Sequence, residues 1–339
     1  MNRHKELIQR FLNHAKVFSW GYASTELLTV LDRSISLQLH KPFSMRLMHH
    51  KERYIMTWAR QFFHEEIEAY RTRKPVTSAD SPHAPIWVCW LQGFNAAPEL
   101  AQLLVKQIAA QSNSHPIRHI TLNNYAQYIS LPQTLISKYK HGDMPQQQLA
   151  DILRSALLAQ HGGLWVDASM YLVQPIPEEV FTTPIFNVKD IRPNRTREAV
   201  ACDFTKWQAY FIASHPGSVT YSFITDCFLK YWRHYDTLID YFLFSYLAKI
   251  ARDDLPGGQA EYESVPANNR ECEWLCDYLM DGEPFDERVY DGILHGSTFA
   301  YKLSNKCTFP MRASDGSPTM AAKLFGDLGN TQTKGSTIS

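Results

Sequence analysis

Two adjacent glycines separate a helix-like segment from a short apolar run, and this feature most constrains the fold of the chain. Residues 148–158 place apolar side chains at the spacing of one helix face, at Leu149, Ile152, Leu153, Ala156 and Leu157. Gly162 and Gly163 supply the left-handed backbone that ends a helix. Residues 164–166 then predict a buried strand, with Asp167 at its carboxyl end. Open α/β sheets bind ligands at such strand ends, so Asp167 is the first candidate site residue.

The surrounding segments alternate between strand and helix patterns. Strands are predicted at residues 86–90, 117–122, 184–188 and 207–213. Helices are predicted at residues 98–110, 219–234, 237–252 and 270–280. This alternation predicts an α/β fold with a mainly parallel mixed sheet.

Composition divides the chain into four parts. Residues 1–74 read as an N-terminal helical region, and residues 75–85 read as a linker because Pro, Thr, Ser and Asp interrupt the helical pattern. Residues 86–326 form the predicted α/β domain, and residues 327–339 a flexible tail.

Charge is balanced over the whole chain but unevenly distributed. Residues 1–74 hold 13 Lys or Arg against 7 Asp or Glu, an excess of +6 that the remainder offsets. The overall balance implies no nucleic-acid partner. The basic excess beside Ile55, Trp58 and Phe62 favours peripheral contact with the anionic inner face of a membrane, or with a membrane-bound polysaccharide assembly protein. Because no leader and no apolar run of ~20 residues is seen, we expect a cytoplasmic protein.

Several common site motifs are absent from the sequence. There is no Gly-x-Ser-x-Gly, no Gly-x-x-x-x-Gly-Lys and no Gly-x-Gly-x-x-Gly, so serine hydrolase, P-loop and Rossmann dehydrogenase functions lose their support. The six cysteines lack the paired spacing of a zinc site, which favours ordinary thiols.

Six sequence blocks occur together in a characteristic order. They are IWVCWLQG (86–93), LNNY (122–125), HGGLWVDAS (161–169), WQAYFIA (207–213), DYFL (240–243) and KLSNK (302–306). This arrangement resembles the capsular polysaccharide synthesis protein family, within the retaining glycosyltransferases that carry an Asp-x-Asp region. The resemblance implies a GT-A type nucleotide-binding fold that transfers a sugar from a nucleotide donor to an acceptor, with retention of configuration.

The resemblance also implies roles for the residues after the predicted strand. In the related transferases the first Asp of the tripeptide contacts the donor's ribose and sugar, directly or through Mn²⁺ or Mg²⁺, and the last acidic residue binds the metal. Asp167 matches the first position, whereas Ser169 replaces the last with a weaker ligand. His295 is a further candidate metal ligand, against the alternative of an exposed histidine. Asp167 has the alternative of capping the following turn.

Asp151 and Arg154 lie three residues apart on the predicted helix, away from its apolar face. Spacing alone predicts a solvated ion pair. The resemblance instead implies that this pair binds the hydroxyls of the donor sugar and the nucleotide.

Two further predicted strands end in candidate donor-binding residues. Trp90, Gln92 and Gly93 lie at the end of the first strand, where a nucleoside base commonly binds, with a core tryptophan as the alternative. Asn124 and Tyr125 follow the second, with an asparagine turn as the alternative. Gly163, in the double glycine, completes this group of predicted donor contacts.

Three late residues are candidates for contacts with substrate. Lys302 and Lys306 suit a diphosphate because ammonium groups are mobile point charges. Asp240 is a candidate contact for acceptor or donor, although an acidic residue near a helix start is also favoured by the helix dipole.

The function predicted from the sequence is therefore transfer of a sugar from a nucleoside diphosphate donor, with uridine expected, to a glycan or lipid-linked glycan of a surface polysaccharide. Two alternatives remain open. The Ser169 substitution is compatible with a sugar-nucleotide-binding scaffold that has lost catalysis, and a glycoside hydrolase would need two carboxylates at a fixed separation.

Overall fold

The structure is a computed structural model that describes residues 3–39, 41, 43–79, 81–192 and 206–326. The predicted tail at 327–339 lies outside the described residues. The helices in chain order are α1 (Arg3–Val17), α2 (Trp20–Leu39), α3 (Met45–Phe62), α4 (His64–Tyr70), α5 (Glu99–Ala110), α6 (Gln133–His141), α7 (Gln146–His161), α8 (Glu179–Thr182), α9 (Val219–His234), α10 (Leu243–Asp254), α11 (Pro256–Glu263), α12 (Trp274–Asp281), α13 (Glu287–His295) and α14 (Met320–Phe325).

The strands form a central sheet and a small second sheet. They are β1 (Ile86–Cys89), β2 (Ile117–Ile120), β3 (Gly163–Val166), β4 (Met170–Leu172), β5 (Ile185–Asn187), β6 (Phe211–Ser214) and β7 (Ala300–Lys302). The central sheet has the order β2-β1-β3-β6-β5, in which β1 runs parallel to β2 and β3. Strand β6 pairs antiparallel with both β3 and β5. The predicted α/β class with a mixed, mostly parallel sheet is confirmed.

The double glycine makes the junction between α7 and β3. Gly162 and Gly163 both have positive φ, at 65° and 88°. A Cβ on Gly163 would lie 2.2 Å from the carbonyl oxygen of Pro85, and one on Gly162 would lie 2.6 Å from that of Ser214. Both positions therefore need glycine for conformation and for space. The strand that follows is buried throughout, as expected for the middle of a sheet.

Predicted element boundaries agree best where periodicity is strong. Helix α9 has the bounds that its apolar pattern predicts, residues 219–234. The strand predicted at 207–213 begins later, at Phe211, and the helix predicted at 237–252 begins at Leu243. The preceding segment folds into a turn instead, because the Ile239 amide donates to the hydroxyl of Tyr231 and the Phe242 amide donates to Asp240.

Helices α2, α3 and α4 share the main hydrophobic core with the central sheet. Ile55 is fully buried in this core, and Trp58 and Phe62 pack against it with their rings stacked 5.3 Å apart. The apolar side of α3 therefore faces inward, and membrane contact through the basic residues of this region stays a prediction. Arg60 also donates two hydrogen bonds to Asp254 of α10, at 2.7 and 3.0 Å. Within the described ranges no helix is both long enough and apolar enough to cross a membrane.

A second hydrophobic cluster forms beside the main core and fixes the small sheet. It contains apolar residues of α5, β4, α12, α13, β7 and α14. Strand β4 pairs antiparallel with β7, and this register sets Met170 opposite Lys302. The pairing brings a late lysine next to the segment that follows Asp167.

A candidate active site at the carboxyl end of β3

Asp167 extends from the end of β3 with its side chain about one quarter exposed. Its Oδ1 accepts hydrogen bonds from Arg154 Nη2 at 3.1 Å and from Trp165 Nε1 at 2.9 Å. The turn that follows is closed by the backbone, because the Met170 amide donates to the Asp167 carbonyl. The carboxylate is thus held by one donor from α7 and one from β3 rather than by the turn, and Oδ2 lies on the side of Lys302.

Arg154 links the two carboxylates of the site. Its Nη1 lies 3.3 Å from Asp151 Oδ1, while its Nη2 contacts Asp167. Only 6% of Arg154 and 2% of Asp151 are exposed, so the solvated ion pair predicted from spacing alone is wrong. The guanidinium also lies over the rings of Trp165 and Phe244, 5.0 and 5.4 Å from their centroids. Aromatic faces and carboxylates together fix its orientation.

Burial changes the protonation of Asp151. Desolvation raises the pKa of its carboxyl to about 7, against the opposing effect of the nearby Arg154 guanidinium. Its remaining contact is a hydrogen bond to Oδ2 from the Gln148 amide, at 3.2 Å. The carboxyl therefore changes charge near neutral pH, at the base of the site.

Lys302 completes the cluster from β7. Its ammonium donates to Ser169 Oγ and lies 4.0 Å from Asp167 Oδ2. The side chain is mostly buried and lies over the ring of Tyr210, 5.6 Å from the centroid. A carboxylate, a guanidinium and an ammonium thus converge at one strand end.

These groups line a cavity of about 930 Å³. The predicted site residues in its wall are Asp151, Arg154, Asp167, Asp240, Lys302 and Lys306. The N-terminal helices and the loop before α3 supply much of the remaining wall, including Arg10, Glu26, Asp32, Arg33, Phe43, Met48 and Lys51. The cavity is within the size range of small-molecule sites.

Asp240 is paired with a lysine of the N-terminal region. The ammonium of Lys51 lies 2.5 Å from Asp240 Oδ2, and only 2% of the Asp240 side chain is exposed. The other oxygen accepts from the Phe242 amide at 2.8 Å. Asp240 thus shapes the cavity and also satisfies the turn before α10.

The residues predicted after β1 and β2 lie outside the cavity lining. Gln92 adjoins the lining, because its side-chain amide donates a hydrogen bond to that of Gln146, a lining residue, at 2.6 Å. Trp90 packs partly against the main core. Gly93 has φ 91° and open space where a Cβ would be. Asn124 forms the asparagine turn, because it accepts from the Thr121 amide and donates to a backbone carbonyl.

Tyr125 shares this position outside the lining with two further predicted residues, Gly163 and His295. Tyr125 packs partly against the main core. Gly163 is enclosed by Pro85, so its contacts are with the fold. His295 ends α13, is 72% exposed and pairs with Asp291 at 2.8 Å.

The donor set at the strand end does not fit Mn²⁺ or Mg²⁺. These cations take several hard oxygen ligands, but here Asp167 offers one carboxylate whose Oδ1 is already bonded twice. Ser169 Oγ accepts from Lys302, which brings a positive charge where a cation's second ligand is expected. Across the described part of the chain, no three His, Cys, Asp or Glu side chains group as metal ligands.

Several residues of the site were missed from the sequence. Trp165 could have been found, because residues two apart on a strand share a face and it precedes Asp167 by two. Tyr210 and Trp207 lie in a sequence block that was recognised without a role for either. Lys51 gave no signal, because only the packing of α3 brings it to Asp240.

A charged cluster at a strand end within an α/β fold is the kind of site used to bind phosphorylated ligands. The chain matches the capsular polysaccharide synthesis protein family over residues 37–322 and belongs to that family. The match begins within α2 and includes every charged residue of the cluster around Asp167.

Two individual similarities accompany the family match. Over 124 residues, 34% of this chain, the sequence is 26% identical to the O-glycosyltransferase braB of Annulohypoxylon truncatum, and the match spans 28% of that relative's length. The solved structure of PaToxG Glycosyltransferase is similar over 75% of this chain and all of its own, with 12% identity and a TM-score of 0.40. A likeness at that level supports no argument about function.

Proposed function

We propose that the protein is a glycosyltransferase that moves a sugar from a nucleoside diphosphate donor, expected to be uridine-linked, to a capsular or surface polysaccharide. The observation that carries this proposal is the convergence of Arg154, Asp167 and Lys302 in one large cavity at the end of β3. Membership of the capsular polysaccharide synthesis family supports the same function.

The cluster divides into groups suited to the two parts of such a donor. Lys302, with Lys306 at the cavity wall, supplies positive charge for the diphosphate. Asp167 and Asp151 accept hydrogen bonds from hydroxyl groups, and Arg154 fixes the orientation of both carboxylates. Orientation and fixed charge are the main means by which a site without a covalent nucleophile lowers a barrier.

The proposed reaction proceeds on one face of the sugar. The acceptor oxygen forms a bond to the anomeric carbon as the bond from that carbon to the diphosphate oxygen breaks, and the leaving diphosphate keeps the electron pair. The acceptor's hydroxyl proton passes to a diphosphate oxygen. The configuration is then retained, and we predict that proton NMR of the product linkage will match the donor's anomeric configuration. An inverted linkage would rule out this mechanism.

The N-terminal side of the cavity is the proposed acceptor side. Arg33 and Lys51, from α2 and α3, line the same cavity as Asp167. A glycan or lipid-linked glycan fits this position, because acceptor hydroxyls would then approach the donor within the same cavity. Peripheral contact with an inner membrane face or with assembly proteins is part of the same proposal.

The test is a thermal-shift panel of nucleotides and nucleotide sugars, followed by assays of nucleotide release. A ligand at ~100 times its dissociation constant should stabilise the protein by about 2.7 kcal/mol. Acceptor-dependent release of nucleotide supports the transferase. Donor binding without any turnover would favour a scaffold that has lost catalysis, the alternative suggested by Ser169 in place of an acidic residue. Cleavage of an oligosaccharide without nucleotide would favour a hydrolase.

A further inference from the structure

We propose that the ammonium of Lys302 takes the place of a divalent cation, so that the site binds its nucleoside diphosphate without a metal. This inference rests on the proposed function and specifies how the donor's diphosphate is neutralised. It assigns Lys302 and Ser169 a joint role, with the hydroxyl positioning the ammonium.

The first observation concerns position. Ser169 stands two residues after Asp167, where a second carboxylate would be needed to hold a cation between them. Its Oγ instead accepts a hydrogen bond from Lys302. The same ammonium lies 4.0 Å from Asp167 Oδ2. Lys302 Nζ therefore bonds Ser169 and lies at ion-pair distance from Asp167, the two side chains that would otherwise be the first choice as metal ligands.

The second observation concerns rigidity. Lys302 is fixed by the β4–β7 register opposite Met170, and its backbone amide donates to the carbonyl of Cys272 at 2.7 Å. Its Nζ also donates to the carbonyl of Leu303 at 3.2 Å, and only 13% of the side chain is exposed. A lysine held in this way presents its charge at a fixed point, as a bound ion would, and loses little freedom when an anion binds.

The third observation concerns charge. Arg154 bonds Asp167 Oδ1, so the Asp167 carboxylate already has a guanidinium on one side and an ammonium near the other. A divalent cation placed between Ser169 and Asp167 would meet the like charge of Lys302 at close range, without a second carboxylate to offset it. An anionic diphosphate would instead meet two cations and could accept hydrogen bonds from both.

The decisive experiment measures binding of uridine diphosphate by isothermal titration calorimetry, once with EDTA and once with manganese. The wild-type protein is expected to bind in EDTA, with manganese changing the dissociation constant less than about twofold once nucleotide–metal association is accounted for. The Lys302→Met variant keeps the length of the stem and removes the charge, so its affinity in EDTA should fall roughly 10- to 100-fold. Lys323→Met is the matched control, because Lys323 is an exposed lysine on α14 outside the cavity lining.

A double variant, Lys302→Met with Ser169→Asp, tests the exchange directly. It removes the ammonium and supplies the second carboxylate, so its binding should become dependent on manganese. A double variant that binds no better with manganese than with EDTA would count against the proposed exchange. Circular dichroism and thermal melting establish that each variant is folded.

The wild-type arm can overturn the proposal without any variant. If EDTA abolishes both nucleotide binding and sugar transfer and manganese restores them, the inference is overturned while the glycosyltransferase function stands. If no nucleotide or nucleotide sugar binds under either condition, the inference and the proposed glycosyltransferase function are both wrong. We expect binding and transfer by the wild type to persist in EDTA. We also expect both to weaken in Lys302→Met and to stay unchanged in Lys323→Met.

Discussion

Asp151 connects the charge of the site to pH. Burial raises its pKa to about 7, and the neighbouring Tyr241 stays neutral because burial raises its pKa as well. Below that pH Asp151 is neutral, so Arg154 and Lys302 outweigh Asp167 by one positive charge. Above it the carboxylate of Asp151 cancels this excess. The cluster therefore attracts an anionic donor more strongly on the acid side.

We predict that affinity for uridine diphosphate falls as pH rises through about 7. One unit charge ~4 Å away is worth about 1 kcal/mol even in water, which corresponds to roughly fivefold. Titration calorimetry on the wild type and on Asp151→Asn measures the effect, and the ratio of the two affinities removes the titration of the nucleotide itself. A ratio that does not change with pH would contradict the assigned role of Asp151.

Gly163 offers a test of the fold at the same scale. We predict that Gly163→Ala lowers the free energy of unfolding by about 2–5 kcal/mol, because it adds backbone strain of ~1–2 kcal/mol to overpacking of ~1–3 kcal/mol. Gly142→Ala is the matched control, since Gly142 has a similar φ of 85° but open space around its Cβ position. Urea denaturation measures both. Equal losses in the two variants would show that contact with Pro85 does not matter.

At the scale of elements, the sequence predicted the features that depend on neighbouring residues along the chain. The double glycine, β3 and α9 followed from glycine conformation and apolar periodicity, and the structure has them within a residue or two. The β4–β7 pairing could not be predicted, because the two strands are short, lie 130 residues apart and carry no local pattern that indicates their partner. Its consequence, the contact between Lys302 and Ser169, therefore also lay beyond the sequence. The burial of Asp151 and Arg154 could not be predicted either. It depends on tertiary packing, because neighbouring elements also cover the polar side of α7.

Helices α1 and α2 carry most of the exposed apolar side chains among the described residues. Their exposed apolar side chains are Ile8, Leu12, Trp20, Leu28, Leu31, Ile35 and Leu39. Exposed basic residues lie on the same helices, including Lys5, Lys16 and Arg33. Such a combination is typical of helices that rest on an anionic membrane surface.

We predict that the protein binds liposomes containing anionic lipid at low salt, and that Leu28→Glu with Ile35→Glu abolishes this binding. Each basic residue near the surface contributes ~1 kcal/mol, and the attraction weakens as salt shortens the Debye length. Co-sedimentation measures the bound fraction. Phe285→Glu is the control, because Phe285 is an exposed apolar residue outside α1 and α2. Sedimentation that both sets of variants leave unchanged would exclude this face.

At the scale of the whole molecule, the cavity is built from both ends of the described chain. The sheet and α7 supply Asp167 and Arg154, β7 supplies Lys302, and α3 supplies Lys51. The sequence predicted the first three as candidates, but it treated residues 1–74 as a separate region. The shared core and the Lys51–Asp240 pair join that region to the site. Substrate selection is therefore expected to depend on the N-terminal helices as well as on the α/β part.

The central claim is that Asp167 lies in the active site of a glycosyltransferase, and the most direct test is donor turnover by Asp167→Asn. The amide keeps the shape of the side chain but removes the charge that Arg154 and Lys302 face. Acceptor-dependent nucleotide release from a donor panel should fall by ~10²–10³ in rate relative to wild type. Circular dichroism and the melting temperature establish that the variant is folded. Full activity in a folded Asp167→Asn protein would contradict the site assignment and the function proposed from it.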